Sequence, residues 1–125
     1  MNELLVRAKE AAAHAHAPYS GYPVGAALMD LNGNVWTGCN VENASYGLSV
    51  CAERNAIAAM VAGGGRHIQE LLVVTRDAAP PCGACLQVIR EFTPDPSAVN
   101  IHLADAEGVK RSFTLGELLP VGFTL

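Results

Sequence analysis

Residues 51–85 read CAERNAIAAMVAGGGRHIQELLVVTRDAAPPCGAC. The first part predicts a helix from about Cys51 to Val61, stopped by Gly63-Gly64-Gly65. Residues 70–75 are almost continuously apolar, as a strand covered on both faces is. Pro80-Pro81 breaks the chain, and Pro81 suits the first turn of a second helix, where its missing N–H has no partner to lose. That helix is expected to run through Cys85, Val88 and Ile89 to about Phe92. Helix, strand and helix make a crossover that brings the chain back to the same edge of a sheet. Cys51 and Cys82 open the two helices, so two helix N-termini are expected to meet over one point.

The flanking sequence completes the pattern. Leu4, Leu5, Ala8, Ala12 and Ala15 share one helical stripe, predicting a helix over 3–15. Pro18 to Pro23 form a loop. Residues 24–30 and 34–39 read as two strands around Leu31-Asn32-Gly33, Asn-Gly being the strongest short hairpin signal. Residues 40–48 look irregular. Strands are expected at 99–104 and 109–114, with Ala106-Glu107-Gly108 at the turn, then a short helix at 115–119. The order αββαβαββα predicts an α/β fold: one domain over 1–125, with a mixed sheet of about five strands covered by helices.

Composition removes several classes of function. Eight Lys and Arg against twelve Asp and Glu give a net charge of −4, which excludes a basic nucleic-acid footprint and a polybasic membrane patch. The chain is 50% hydrophobic, too apolar for disorder. Its apolar runs fall far short of the roughly 20 residues a membrane span needs. Charged residues make up only 16%, against about 25% in a typical soluble chain, so a subunit interface is expected. Met1 to Arg7 carries charge where a signal peptide needs an apolar stretch, which predicts a cytoplasmic protein. Thiols stay reduced there, so four Cys point to metal or catalysis before disulfides.

Cys51, Cys82 and Cys85 lie at helix starts, where the partial positive charge favours thiolate. Three thiolates make a Zn²⁺ site with one open position, the mark of a catalytic rather than a closed structural zinc. Glu53, two residues after Cys51, can lean toward that position without binding the metal. A carboxylate there takes a proton from zinc-bound water and hands it on. The signature H-x-E…P-C-x-x-C belongs to zinc-dependent deaminases of nucleosides and nucleobases, with Cys51 here in the His place. The charges of Zn²⁺ and three thiolates sum to −1, and Arg54 is the candidate guanidinium to offset them.

With these motifs the chain resembles the small homotetrameric cytidine deaminases over nearly its whole length. Tyr22-Pro23-Val24-Gly25-Ala26-Ala27-Leu28 looks like that family's F-P-V-G-A-A-L. Cys39-Asn40-Val41-Glu42-Asn43-Ala44-Ser45-Tyr46 looks like its C-N-[IV]-E-N-A-x-Y, and Leu118-Leu119-Pro120 with Phe123 like its ending. The resemblance implies a three-layer α/β/α domain, one Zn²⁺ per chain on Cys51, Cys82 and Cys85, and Glu53 as the proton shuttle. It implies Asn40 and Glu42 on the ribose hydroxyls and Tyr22, where the family has Phe, against the pyrimidine. It implies a homotetramer with pockets shared between subunits, with Ala44, Tyr46 and Phe123 at positions of that kind. The expected reaction is hydrolytic deamination of cytidine and deoxycytidine, with a blasticidin-type aminonucleoside deaminase as the alternative. Where the family often has Arg after its last zinc Cys, this chain has Leu86, then Gln87.

Plainer readings compete. Cys39 reads as a packed strand cysteine. Were it a fourth ligand, the site would be closed and Glu53 idle. Cys82 and Cys85 alone would fit a redox pair, which leaves Cys51 and Glu53 unexplained. Tyr22 and Phe123 also read as packing aromatics. His14, His16, His67 and His102 read as non-ligands, and Arg76 as a solvated charge.

Overall fold

A computed structural model describes residues 2–125. Along the chain run α1 (Asn2–Ala12), β1 (Gly25–Asp30), β2 (Val35–Cys39), α2 (Ala52–Ala62), β3 (Ile68–Val74), α3 (Gly83–Glu91), β4 (Asn100–Asp105), β5 (Gly108–Thr114) and α4 (Leu115–Leu118). The five strands form one sheet in the order β2-β1-β3-β4-β5. β3 and β4 are parallel, and the other neighbouring pairs are antiparallel. The expected α/β order and mixed sheet are both present. No helix among the described residues is long and apolar enough to cross a membrane.

The topology places the two helix starts. The connection from β2 to β3 passes over β1, and the connection from β3 to β4 continues in the same direction. Right-handed crossovers that advance the same way put their helices on the same face. α2 and α3 accordingly share one apolar core, in which Ala56, Ile57, Met60, Leu86 and Ile89 pack on Leu28, Leu71, Val73, Ile101 and Leu103. On the opposite face Leu4 and Ala8 of α1 cover Ala27, Leu72, Val74 and Ala104. The result is the three-layer α/β/α arrangement. β3 has core residues on both faces, as its unbroken apolar run demands.

Two glycines set how closely the helices approach. A Cβ on Gly38 of β2 would lie 2.4 Å from the Ala56 nitrogen and 2.6 Å from the Ala52 carbonyl oxygen. A Cβ on Gly25 of β1 would lie 2.0 Å from the Ala8 carbonyl oxygen. The backbones of α2 and α1 therefore rest directly on the sheet, and any side chain at either position would push them off. Gly38 in this way holds the start of α2 against the end of β2.

Two expected boundaries are corrected. The first helix ends at Ala12 rather than 15, because the backbone of His16 turns away to pair with residues 40–42. His16 N donates to Asn40 O at 3.0 Å, and Glu42 N donates to His16 O at 2.8 Å. α3 begins at Gly83 with Cys82 as its N-cap, so Pro81 precedes the helix instead of opening it. Cys82 itself is extended, with φ −70° and ψ 167°, so the first helical turn starts only at Gly83.

Candidate metal centre and substrate cleft

Cys51 and Cys82 are the N-caps of α2 and α3, both in extended conformation with no side-chain capping bond. Their sulfurs are therefore free to point at each other rather than at the helix backbone. Cys51 Sγ lies 3.9 Å from Cys82 Sγ, and Cys82 Sγ lies 3.4 Å from Cys85 Sγ. All three sulfurs fall within 4.8 Å of one another. Sulfurs on a tetrahedral zinc with Zn–S of about 2.3 Å stand about 3.8 Å apart, so the thiol triangle fits that ion with one corner left over.

Charge in the cluster is already unequal. The thiol of Cys51 is lowered to about 5, first by its neighbour Cys85 and then by the Arg54 guanidinium. Cys85 is raised, by the same pairing with Cys51 and by burial. Negative charge is thus favoured on Cys51 and disfavoured on Cys85. Metal binding takes up thiolates and releases protons. Arg54 Nη2 donates to Cys51 Sγ at 3.9 Å. Its Nε is buried with no protein partner.

Glu53 is buried, with 4% of its surface exposed, in the first turn of α2 beside the thiols. Burial pushes its carboxyl up to about 7, and the negative Cys51 adds to the rise. A carboxyl poised there both accepts and donates a proton near neutral pH.

Beside the thiols opens a cleft of about 410 Å³ lined by Tyr22, Asn40, Glu42, Cys51, Glu53, Thr75 and Cys82, among others. A second hollow of about 320 Å³, formed by Tyr19, Ser20, Glu42, Tyr46 and Ser49, shares Ser20 and Glu42 with it. Over residues 1–101 the chain matches the family model for the cytidine and deoxycytidylate deaminase zinc-binding region. It belongs to that deaminase family.

Several relatives agree over nine-tenths or more of their own length. The cytidine deaminase of Halalkalibacterium halodurans is 42% identical over 123 residues, which cover 97% of this chain and 92% of that one. The crystal structure of cytidine deaminase from Burkholderia pseudomallei superposes with a TM-score of 0.90 at 43% identity, covering 98% of each chain. That from Mycobacterium tuberculosis gives 0.85 at 40%, covering 99% of this chain and 97% of the other. The thiol cluster and this family membership together assign the deaminase one zinc per chain.

The fold gathers six of the sequence-predicted residues around the cleft, Cys51, Cys82, Glu53, Asn40, Glu42 and Tyr22, with Cys85 behind and Arg54 on Cys51. Cys39, half-buried at the end of β2, lies outside the thiol cluster. No histidine among the described residues joins that cluster either, and His102 is engaged by Glu70 and Ser112 on the sheet. Leu86 is buried among the apolar residues under α3, so its position serves the core. Ala44, Tyr46 and Phe123 are exposed and do not line the cleft of their own chain.

Asn40 and Glu42 both reach the cleft, and both have partners inside the deaminase as well. Asn40 Oδ1 accepts from Val24 N at 2.9 Å, and Nδ2 donates to Tyr22 O at 2.9 Å, leaving one amide hydrogen. Glu42 Oε1 accepts from Tyr19 N and Ser20 N at 3.0 and 3.1 Å, and Oε2 accepts from the Ser20 hydroxyl. Ser20 first among these bonds holds the Glu42 carboxyl below its ordinary value, so it is ionised at neutral pH.

Three contributors had no signal in the sequence. Asp77 takes the Tyr22 hydroxyl, Arg76 stacks on the Tyr22 ring instead of facing solvent alone, and Gln87 binds the tail at Phe123. Each is an ordinary polar residue in a loop or helix, and only its distant partner marks it.

Proposed function

We propose that this chain catalyses the hydrolytic deamination of cytidine and deoxycytidine to uridine and deoxyuridine, with release of ammonia, in pyrimidine salvage. The observation that carries the reading is Glu53, buried beside three convergent thiols and poised near neutrality. Zinc held by Cys51, Cys82 and Cys85 would supply Lewis acidity that makes a water easier to deprotonate. Glu53 accepts a proton from the attacking water as its oxygen adds to C4 of the pyrimidine, and passes that proton to N3. It then moves the remaining hydroxyl proton to the departing amine. The C4–N bond breaks, C4 becomes a carbonyl, and water and nucleoside become uridine and ammonia. Arg54 offsets the thiolate charge on the metal side.

Asn40 and Glu42 take the sugar. Asn40 has a spare N–H donor and Glu42 a spare acceptor on Oε2, which together suit a ribose hydroxyl. A cleft built around such groups rejects an analogue lacking the sugar by about 10⁴–10⁵. Tyr22 forms the aromatic wall against the base.

The 1–125 domain works as a cytoplasmic homotetramer whose pockets are shared, with Ala44, Tyr46 and Phe123 reaching a neighbouring subunit. In one chain Tyr46 is 74%, Leu48 66% and Phe123 69% exposed, an apolar surface a lone subunit would leave in water.

A steady-state assay of the zinc-loaded protein with cytidine, deoxycytidine, cytosine, CMP and blasticidin S tests this. Rapid turnover of both nucleosides with negligible turnover of cytosine is expected. Equal turnover of cytosine would remove Asn40 and Glu42 from the sugar, and preferred turnover of blasticidin S would change the substrate. Sedimentation of an active monomer at assay concentration would refute the shared pocket.

A further inference from the structure

Tyr22 is gripped from both ends by the loop that joins β3 to α3. Its hydroxyl donates to Asp77 Oδ1, and the Arg76 guanidinium lies 4.7 Å from its ring centroid. Arg76 Nη1 also donates to Gly21 O at 3.4 Å, on the Tyr22 side of the cleft. The same Asp77 Oδ1 accepts from Thr75 Oγ1 at 3.2 Å, and Thr75 Oγ1 in turn accepts from Ala79 N at 2.9 Å. Between them Ala78 adopts a φ of 54°, a left-handed conformation that a residue with a Cβ takes only under constraint. One carboxylate oxygen therefore joins the aromatic wall of the cleft to a constrained turn. Four residues after Ala78, past Pro80 and Pro81, the chain reaches Cys82 and its thiol.

A phenylalanine at position 22 would have no hydroxyl to make this tie. The ring would then rest on packing alone, at a place where it is only half buried.

We propose that Asp77 is a positioning residue for the deamination: through the Tyr22 hydroxyl and Thr75 it fixes the wall of the cleft in register with the turn that carries Cys82. Its kinetic consequence rests on the reading of the cleft as a nucleoside site; its consequence for the metal does not.

The test compares zinc-loaded Tyr22→Phe, Asp77→Ala, Asp77→Asn and the Tyr22→Phe/Asp77→Ala double variant with the parent protein. Two readouts are taken: KM and kcat for cytidine, and the rate at which a chromophoric chelator withdraws zinc. Tyr22→Phe and Asp77→Ala should each raise KM about three- to tenfold, the scale of one hydrogen bond at a partly exposed site, with kcat changed less than about twofold. The double variant should be no worse than Asp77→Ala, because both changes cut the same tie. Asp77→Asn keeps the carbonyl acceptor and should restore KM to within about twofold of the parent. Asp77→Ala should release zinc several-fold faster and Asp77→Asn should not. Independent, multiplying effects of Tyr22→Phe and Asp77→Ala on KM, or an unchanged KM in Asp77→Ala, would overturn the proposal. If the parent itself leaves cytidine untouched, the substrate reading fails, and equal zinc release from Asp77→Ala and parent would then sink the tie.

Discussion

The side-chain amide of Gln87 pairs with the backbone of Phe123 on both sides. Gln87 Nε2 donates to Phe123 O at 2.8 Å, and Phe123 N donates to Gln87 Oε1 at 3.1 Å. Gln87 stands on α3 two residues past Cys85, so the helix that holds two of the thiols also holds the tail. Chain ends fray unless they are tied down. Here the tie fixes the backbone of an aromatic residue whose ring is left in solvent, the ring that the proposed shared pocket sends into a neighbouring subunit.

Gln87→Ala should therefore lower kcat/KM for cytidine about three- to tenfold while leaving zinc content unchanged, since two modest hydrogen bonds are lost. Phe123→Ala should lower it more. Combining them should cost nothing beyond Phe123→Ala, because the amide acts only by placing the ring. Additive losses in the double variant would show that Gln87 acts by another route.

The thiol geometry makes a direct prediction about metal. Cys82→Ser and Cys85→Ser should lose zinc, whereas Cys39→Ser, outside the cluster, should keep close to one ion per chain. Native mass and elemental analysis of the purified variants measure this. Loss of zinc from a folded Cys39→Ser protein would mean that a fourth thiol closes the site.

Glu53→Gln preserves size and polarity and removes the proton acceptor. General acid–base work contributes roughly 10²–10⁴-fold, and one group serving several transfers should reach at least the top of that range. Zinc should remain bound, because the carboxylate is not among the three ligands. Activity within tenfold of the parent would take Glu53 out of the proton path.

Asp30 links stability to pH. It is 1% exposed at the end of β1, where Oδ1 accepts from Asn32 N and Asn34 N and Oδ2 accepts from Trp36 Nε1 at 2.8 Å. Burial raises the carboxyl, but the bond from Trp36 and the two backbone bonds outweigh it, and the net position is below the ordinary value. A folded-state value below the unfolded one stabilises the fold above about pH 4, and that contribution fades as the pH falls through the folded-state value. Asp30→Asn cannot accept from Trp36 at its amide nitrogen and should cost about 1–3 kcal/mol at neutral pH. Melting followed by fluorescence of Trp36, the single tryptophan, should show the gap between variant and parent narrowing below about pH 4. A gap independent of pH would assign the loss to packing instead.

Local sequence alone dictates the order of elements, the strand bearing apolar residues for both faces, and the thiols at two helix starts. Those features rest on short-range rules: helical and strand periods, the Asn32-Gly33 turn, and glycines and prolines that stop helices. It also carried Cys51, Glu53, Cys82 and Cys85, because their spacing is itself the signature. The missed contributors are of another kind. Asp77 meets Tyr22 across 55 residues, and Gln87 meets Phe123 across 36. No period relates such positions, and each residue type is ordinary where it stands. Likewise Glu42 was legible as a polar group in an extended stretch, but not its bonds to Tyr19 and Ser20. Only once two crossovers placed α2 and α3 on one face, and the 16–24 segment was laid along residues 40–42, did these side chains share a cleft. Tertiary packing decides such pairs, because a hydrogen bond forms only where both groups are brought within about 3 Å in the right direction.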